Sequence, residues 1–240
     1  MARVVVLGRS GTGKSWYVGT LLEQVVPNFD HAIHFDLEDE ETGLSDADHD
    51  PLYKTLYVTK ERFDRGINLL RIVHRVGAVR VVPDGLTKAE CRELYGRCAA
   101  AAMALGKEFE RSCFVSCDEG HNVVPNGGDP DERVERMITG GRKHHVECLH
   151  ISQRPQLLHK TCISQAEKRV YFQIIEENDI KKLQNMTSFD ANQLEHLGER
   201  RCIVENKNSG ESKQVDTNDL TRIRPHHASD DGIVDEALPV

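Results

Sequence analysis

At 240 residues the chain is long enough to bury one good core, and 38% hydrophobic with 29% charged residues is the composition of a soluble globular protein. A formal net charge of −8 excludes a protein that coats nucleic acid, because phosphate binding needs a surplus of Lys and Arg; any contact with DNA has to be local. No apolar run approaches the roughly 18 residues of a membrane span, so stable membrane insertion is not expected.

The opening Met1-Ala2-Arg3 passes straight into Val4-Val5-Val6-Leu7 and then a glycine loop, too soon for a signal peptide, which sets the expectation of a cytoplasmic protein. Seven cysteines, an odd number with no CxxC pair and mostly in apolar segments, read as reduced core thiols. Residues 3–7 read as a buried strand, 14–26 as a helix and His31–Phe35 as a second strand that ends in acids. Val79–Pro83 reads as another short strand, and Thr87–Leu105, rich in Ala and Leu behind a Thr cap, as a long helix. The apolar strand Cys113–Cys117 runs into Asp118-Glu119. After the loop Asn126–Pro130, a helix over 131–143 leads to the strand Glu147–Ile151.

Arg169–Phe172 and Cys202–Val204 continue the alternation of strand and helix. That alternation predicts an α/β fold, a mostly parallel sheet with helices on both faces. From Asn206 onward hydrophobicity falls. The expected division is therefore a folded domain over residues 1–205 and a polar C-terminal tail or arm over 206–240, either simply disordered or docked on a neighbouring subunit.

Gly8-Arg9-Ser10-Gly11-Thr12-Gly13-Lys14-Ser15 fits G-x-x-x-x-G-K-[ST] at every position, after a strand and at the start of a helix. Glycines let backbone N–H groups curl around phosphates, and the helix N-terminus adds the positive end of its dipole. Lys14 is expected to reach the β- and γ-phosphates of ATP, and Ser15 to hold Mg²⁺. Nucleotide contacts are thus expected from Gly8, Arg9, Ser10, Gly11, Thr12, Gly13, Lys14 and Ser15, and from the next residue, Trp16.

The strand ending in Asp118-Glu119 sets two carboxylates at the carboxyl edge of the sheet, where ligands of open α/β folds bind. Asp118 is suited to hold the magnesium through water and Glu119 to act as general base on the attacking water. Asp118-Glu119-Gly120-His121 also resembles the DExH box of RNA helicases. Those carry two such domains in tandem and a Ser-Ala-Thr motif, whereas here the next strand ends in Ser152-Gln153-Arg154-Pro155 and the length leaves no room for a second domain.

In their order, the phosphate loop, the Asp-Glu-x-His strand end, the basic Gly141-Arg142-Lys143 and the strand ending Ser-Gln-Arg-Pro resemble the HerA/FtsK superfamily of DNA-pumping ATPases, over residues 3 to 173. The resemblance implies a P-loop NTPase with the additional-strand, catalytic-glutamate, recombinase-like core. It gives Gln153 the role of a sensor for the γ-phosphate. It also implies a ring oligomer in which a neighbouring subunit supplies an arginine finger; Arg142 is the first candidate, ahead of Arg154, Arg136 and Arg169. Asp36 and Glu38 are either extra acids near the nucleotide or part of a solvated loop.

With the phosphate loop beginning at Gly8, the expectation is a bare motor, without the barrel of HerA helicases or the membrane spans of FtsK translocases. Such motors resemble the genome-packaging ATPases of tailless icosahedral viruses with an internal membrane, including archaeal ones. The function so implied is ATP-driven translocation of double-stranded DNA into a preformed capsid. DNA would be bound weakly and without sequence preference, and capsid or membrane-vertex proteins would be further partners. A HerA-like cellular or plasmid translocase is an alternative, as is a nucleotide-gated assembly or export factor of filamentous-phage type that does not move DNA. A small-molecule kinase is disfavoured by the Asp-Glu pair and the glutamine strand. A GTP switch is disfavoured because Asn206-Lys207-Asn208-Ser209 lacks the Asp that selects guanine.

Overall fold

The computed structural model describes residues 3–226. In chain order the elements are β1 (Val4–Leu7), α1 (Lys14–Val25), β2 (His31–Phe35), β3 (Lys54–Thr59), α2 (Lys60–Arg65), α3 (Leu69–Val76), β4 (Ala78–Asp84), α4 (Lys88–Glu108) and β5 (Cys113–Cys117). They continue with α5 (Gly120–Val123), α6 (Glu132–Gly140), β6 (Val146–Ser152), α7 (Lys160–Gln165), β7 (Lys168–Tyr171), α8 (Glu177–Gln184), β8 (Arg201–Asn206) and β9 (Glu211–Asp216).

The strands form one sheet in the order β3-β4-β2-β5-β6-β1-β7-β8-β9. Every pair from β3 to β7 is parallel, and β8 and β9 are added as an antiparallel hairpin. β6 is inserted between the phosphate-loop strand β1 and the acidic strand β5, which is the additional strand of the expected core.

Alternation along each strand builds two cores. Val5 and Leu7 of β1 join Ile33, Phe35 and Val115 beneath α3, α4, α6, α7 and α8. Val4 and Val6 point the other way, joining Phe114, Leu149 and Val170 against Tyr17, Val18, Leu21 and Leu22 of α1. All four β1 residues are at most 1% exposed, as parallel strands covered on both faces require. Burying each such side chain stabilises by about 1.5–3 kcal/mol. The long helix α4 starts where its sequence says: Thr87 and Glu90 form a reciprocal capping box that satisfies two otherwise orphaned N–H groups.

Three features depart from the sequence expectations. β3, α2 and α3 occupy a stretch left unassigned, where the apolar pattern is short and interrupted. The helix expected over 131–143 stops at Gly140 and continues as a tighter turn, Gly141–His144. The expected boundary at 205/206 falls inside the β8–β9 hairpin, so residues 206–226 are not a free tail. Asn206–Gly210 is the hairpin turn, with Gly210 at φ 69°. β9 was unreadable because it is an edge strand whose side chains are nearly all exposed, so it carries no apolar alternation.

The chain then crosses α1: Arg222 pairs with Glu41 at 3.0 Å, and the Ile223 and Arg224 N–H groups donate to Glu23 at 2.8 and 2.7 Å. The remainder of the expected tail lies outside the described residues. The seven cysteines are buried and form no disulfide; burial pushes Cys98, Cys148 and Cys202 up to about 12. No helix among the described residues is long and apolar enough to cross a membrane.

Candidate nucleotide site

The loop from Gly8 to Gly13 leaves β1 at the carboxyl edge and enters α1. Gly8 N–H donates to the Ser152 carbonyl at 3.2 Å and Arg9 N–H to the Gln173 carbonyl at 2.9 Å, so the ends of β6 and β7 hold the loop from both sides. A Cβ on Gly8 would sit 2.5 Å from the Phe172 Cβ, which bars every other residue. Gly13 sits at φ 96° just before the helix, where an L side chain is strained. Lys14 is 6% exposed, and its ammonium donates to the Arg9 carbonyl at 2.9 Å. Burial lowers its pKa, while Glu119, Asp118 and Glu40 oppose the shift.

A cavity of about 440 Å³ opens over this loop, lined on one side by Asp118, Glu119 and Gln153 and on the other by Trp16, Glu199, Arg200 and His226. Its size suits a nucleotide. On the β5–β6 side, Glu119 is buried and takes a left-handed conformation, φ 46° and ψ 42°, that costs a non-glycine residue about 1–3 kcal/mol. The Gln153 amide donates to Glu119 Oε1, and His121 Nδ1 lies 3.1 Å from its Oε2. His121 is in turn 3.2 Å from the Ser152 hydroxyl. Asp118 accepts the Glu119 N–H at 2.9 Å; burial first, then the Glu119 and Asp36 charges, push its carboxyl up to about 7.

Among the lining residues four carboxylates, Glu40, Asp118, Glu119 and Glu199, face two cations, Lys14 and Arg200. Such a pocket repels a polyphosphate unless a divalent cation accompanies it. Ser15 and Asp118 line the same pocket and offer the hard oxygen donors that Mg²⁺ takes. These residues fit the expected metal.

The β8 side was not foreseen in the sequence, apart from Trp16. Because β8 runs antiparallel to β7, its first residues lie at the same carboxyl edge as the phosphate loop. The Arg200 N–H donates to the Thr12 carbonyl at 3.0 Å, and its guanidinium lies 5.4 Å from the Trp16 ring centroid. Glu40 was likewise missed. Of the two acids expected near it, Asp36 is fully buried in an ion pair with Arg80 at 2.8 Å, and neither Asp36 nor Glu38 lines the cavity.

The arginine candidates separate. Arg142 lies in the turn before β6, at the amino edge, largely exposed and 3.2 Å from Glu167. It is not part of its own chain's pocket and could complete a site only in a neighbour. Arg154 follows Gln153 at the carboxyl edge, 3.7 Å from the buried Asp179. Arg169 is buried against Glu205, and Arg136 pairs with Glu132 along α6. Lys182 donates to the Gln156 and Leu158 carbonyls at 3.2 and 2.6 Å, so α8 braces the loop that follows Gln153.

No protein-family profile and no curated protein matches this chain. Among solved structures it is similar to the genome packaging NTPase B204 of Sulfolobus turreted icosahedral virus 2 in complex with ATP-γS, with a TM-score of 0.70 and 16% identity over 89% of this chain and 96% of that one. It is also similar to ATPases 2 and 3 of EssC from Geobacillus thermodenitrificans, at a TM-score of 0.55 and 14% identity over 97% of this chain and 41% of that one. The pCW3 conjugation coupling protein TcpA gives 0.53 and 13% over 90% and 60%. At these identities the fold is what is shared: the chain has the P-loop NTPase fold and resembles ATPases of the expected kind.

Proposed function

We propose that this chain hydrolyses ATP and couples hydrolysis to movement of double-stranded DNA, as a genome-packaging motor. The observation that carries the reading is the contact of the Gln153 amide with the Glu119 carboxylate on adjacent strand ends, beside an intact phosphate loop. Support for the packaging role comes from the fold, shared with B204 across nearly the whole of both chains.

In this reading Lys14 and the loop amides bind the β- and γ-phosphates, and Ser15 and Asp118 hold Mg²⁺, whose charge offsets that of the triphosphate. Glu119 takes the proton from the attacking water as it approaches the γ-phosphorus. Gln153, hydrogen-bonded to that base, shifts when the γ-phosphate arrives or leaves, and the loop braced by Asp179 and Lys182 carries the shift outward. A neighbouring subunit supplies the arginine, with Arg142 as the first candidate and Arg154 as the second.

The test is ATP turnover with and without duplex DNA. Stimulation by DNA that disappears in Glu119→Gln is expected. Turnover that is absent, or indifferent to DNA in an assembled ring, would favour the assembly-factor reading. Mixing Lys14→Ala with Arg142→Ala subunits should restore activity that neither has alone. Mixtures no better than their parents, although subunits exchange, would remove Arg142 from the site.

A further inference from the structure

We infer that the β8 side of the cavity is a nucleobase subsite, in which the Trp16 indole and the Arg200 guanidinium hold the base of a nucleoside triphosphate by its flat face. This deepens the nucleotide reading above and rests on it. The sheet order supplies the direction. Asp118, Glu119 and Gln153 stand at the ends of β5 and β6 on one side of β1, and Arg200 stands at the start of β8 on the other. With the γ-phosphate toward the carboxylate and amide, the sugar and base extend the opposite way, past Ser15 and over the first turn of α1. Trp16 and Arg200 line that end, with Glu199 and His226 beside them.

The pair is built, not incidental. Arg200 takes a left-handed backbone, φ 55°, and such a residue persists only where its surroundings hold it. Its N–H is bound to Thr12, and its carbonyl accepts from both the backbone N–H and the hydroxyl of Thr217 at 2.7 Å. Its stem lies 3.1 Å from where a Cβ on Gly13 would be, so the side chain runs along the phosphate loop itself. Among the described residues no carboxylate pairs with its guanidinium, which instead lies over the Trp16 ring. The indole is oriented by a long hydrogen bond from Nε1 to the Leu220 carbonyl, 3.4 Å. A planar cation over an indole, open to a pocket, is a surface for a flat heteroaromatic ring. Recognition by the face tolerates different bases, because every base has a π-face.

Trp16 is the only tryptophan of the chain, so its emission reports on this subsite without a label. Wild-type protein should be titrated with Mg–ATP and with Mg–tripolyphosphate, which has no base, following binding by calorimetry and Trp16 by fluorescence. ATP should bind about tenfold or more tightly than tripolyphosphate and alone change the emission strongly, with GTP within about tenfold of ATP. Arg200→Ala should remove most of that advantage, weakening ATP about tenfold more than it weakens tripolyphosphate, and Arg200→Lys should fall between. Equal affinity and equal emission change for ATP and tripolyphosphate in the wild type would overturn the subsite. So would an Arg200→Ala variant that weakens both ligands alike. If Arg200→Ala fails to fold, the wild-type comparison decides alone. Failure of the nucleotide reading looks different, since then neither ligand binds the wild-type chain.

Discussion

On the β5–β6 side of the phosphate loop the lining side chains follow buried parallel strands, whereas on the β8 side they belong to the first turn of α1, to the loop Gly198–Arg200 and to the segment after β9. The first side is rigid because the sheet fixes it: Cys113–Cys117 pairs with β2 and β6 along its whole length. The second is fixed by point contacts, Arg200 to Thr12 and Thr217, and Arg222 to Ser15 and Glu41. In the proposed reading, the groups aligned with the reacting bond follow buried strands, and those that hold the base come from the first turn of α1 and from the loop before β8.

The largest effect should separate the two sides by rate. Glu119→Gln should lower turnover by about 10²- to 10⁴-fold with ATP affinity nearly unchanged, because only the base is lost. Arg200→Ala should do the reverse, raising the Kd with turnover at saturating ATP nearly intact. Steady-state kinetics beside calorimetry reads both, and wild-type turnover in Glu119→Gln would break the comparison at once.

Next in size is Arg222→Ala, which should cost about 1–3 kcal/mol of unfolding free energy by denaturation, because it leaves the buried Glu41 carboxyl and the Ser15 carbonyl without their hydrogen-bond donor. Burial already pushes the Glu41 carboxyl upward, and Arg222 opposes that. The exposed Arg142–Glu167 pair should contribute only about 0–1 kcal/mol. A similar loss for Arg142→Ala would mean that the exposed amino-edge pair holds the fold as firmly as the buried one beside the pocket.

Gln153→Ala should cost about 10- to 100-fold in turnover, the equivalent of one hydrogen bond to a charged group, and little in ATP binding. An affinity loss without a rate loss would move Gln153 to the binding side.

The smallest effect concerns pH. Burial lowers both His34 on β2 and His150 on β6 to about 4. Unfolded, each titrates near 6.5, so the unfolded chain binds more protons below that pH, and stability is lost as pH falls from 6.5 toward 4. About 1 kcal/mol per histidine should be gone by pH 5.5. β7, β8 and β9 contain no histidine. Hydrogen exchange at pH 5.5 should therefore rise first in β2, β5 and β6, and equal acceleration across the sheet would contradict the assignment.

This asymmetry also decided what could be read from the sequence. Strands such as His31–Phe35 and Cys113–Cys117 appeared at the expected residues because continuous apolar runs between turn signals leave little choice. The phosphate loop, Asp118-Glu119 and Gln153 stood out because each ends or follows such a strand. Arg200 gave no signal: Gly198-Glu199-Arg200-Arg201 is a charged turn like many others, and only the antiparallel return of β8 brings it to the pocket. Arg222 and β9 were hidden for the same reason, since polar sequence folds here by pairing with an edge and with buried acids.

The most direct test of the account is displacement of a third strand from a triplex on duplex DNA, measured with the assembled protein and either ATP or a non-hydrolysable analogue. Displacement is expected with ATP, with none for the analogue and none for Glu119→Gln. Steady ATP hydrolysis stimulated by duplex DNA but without displacement would contradict it.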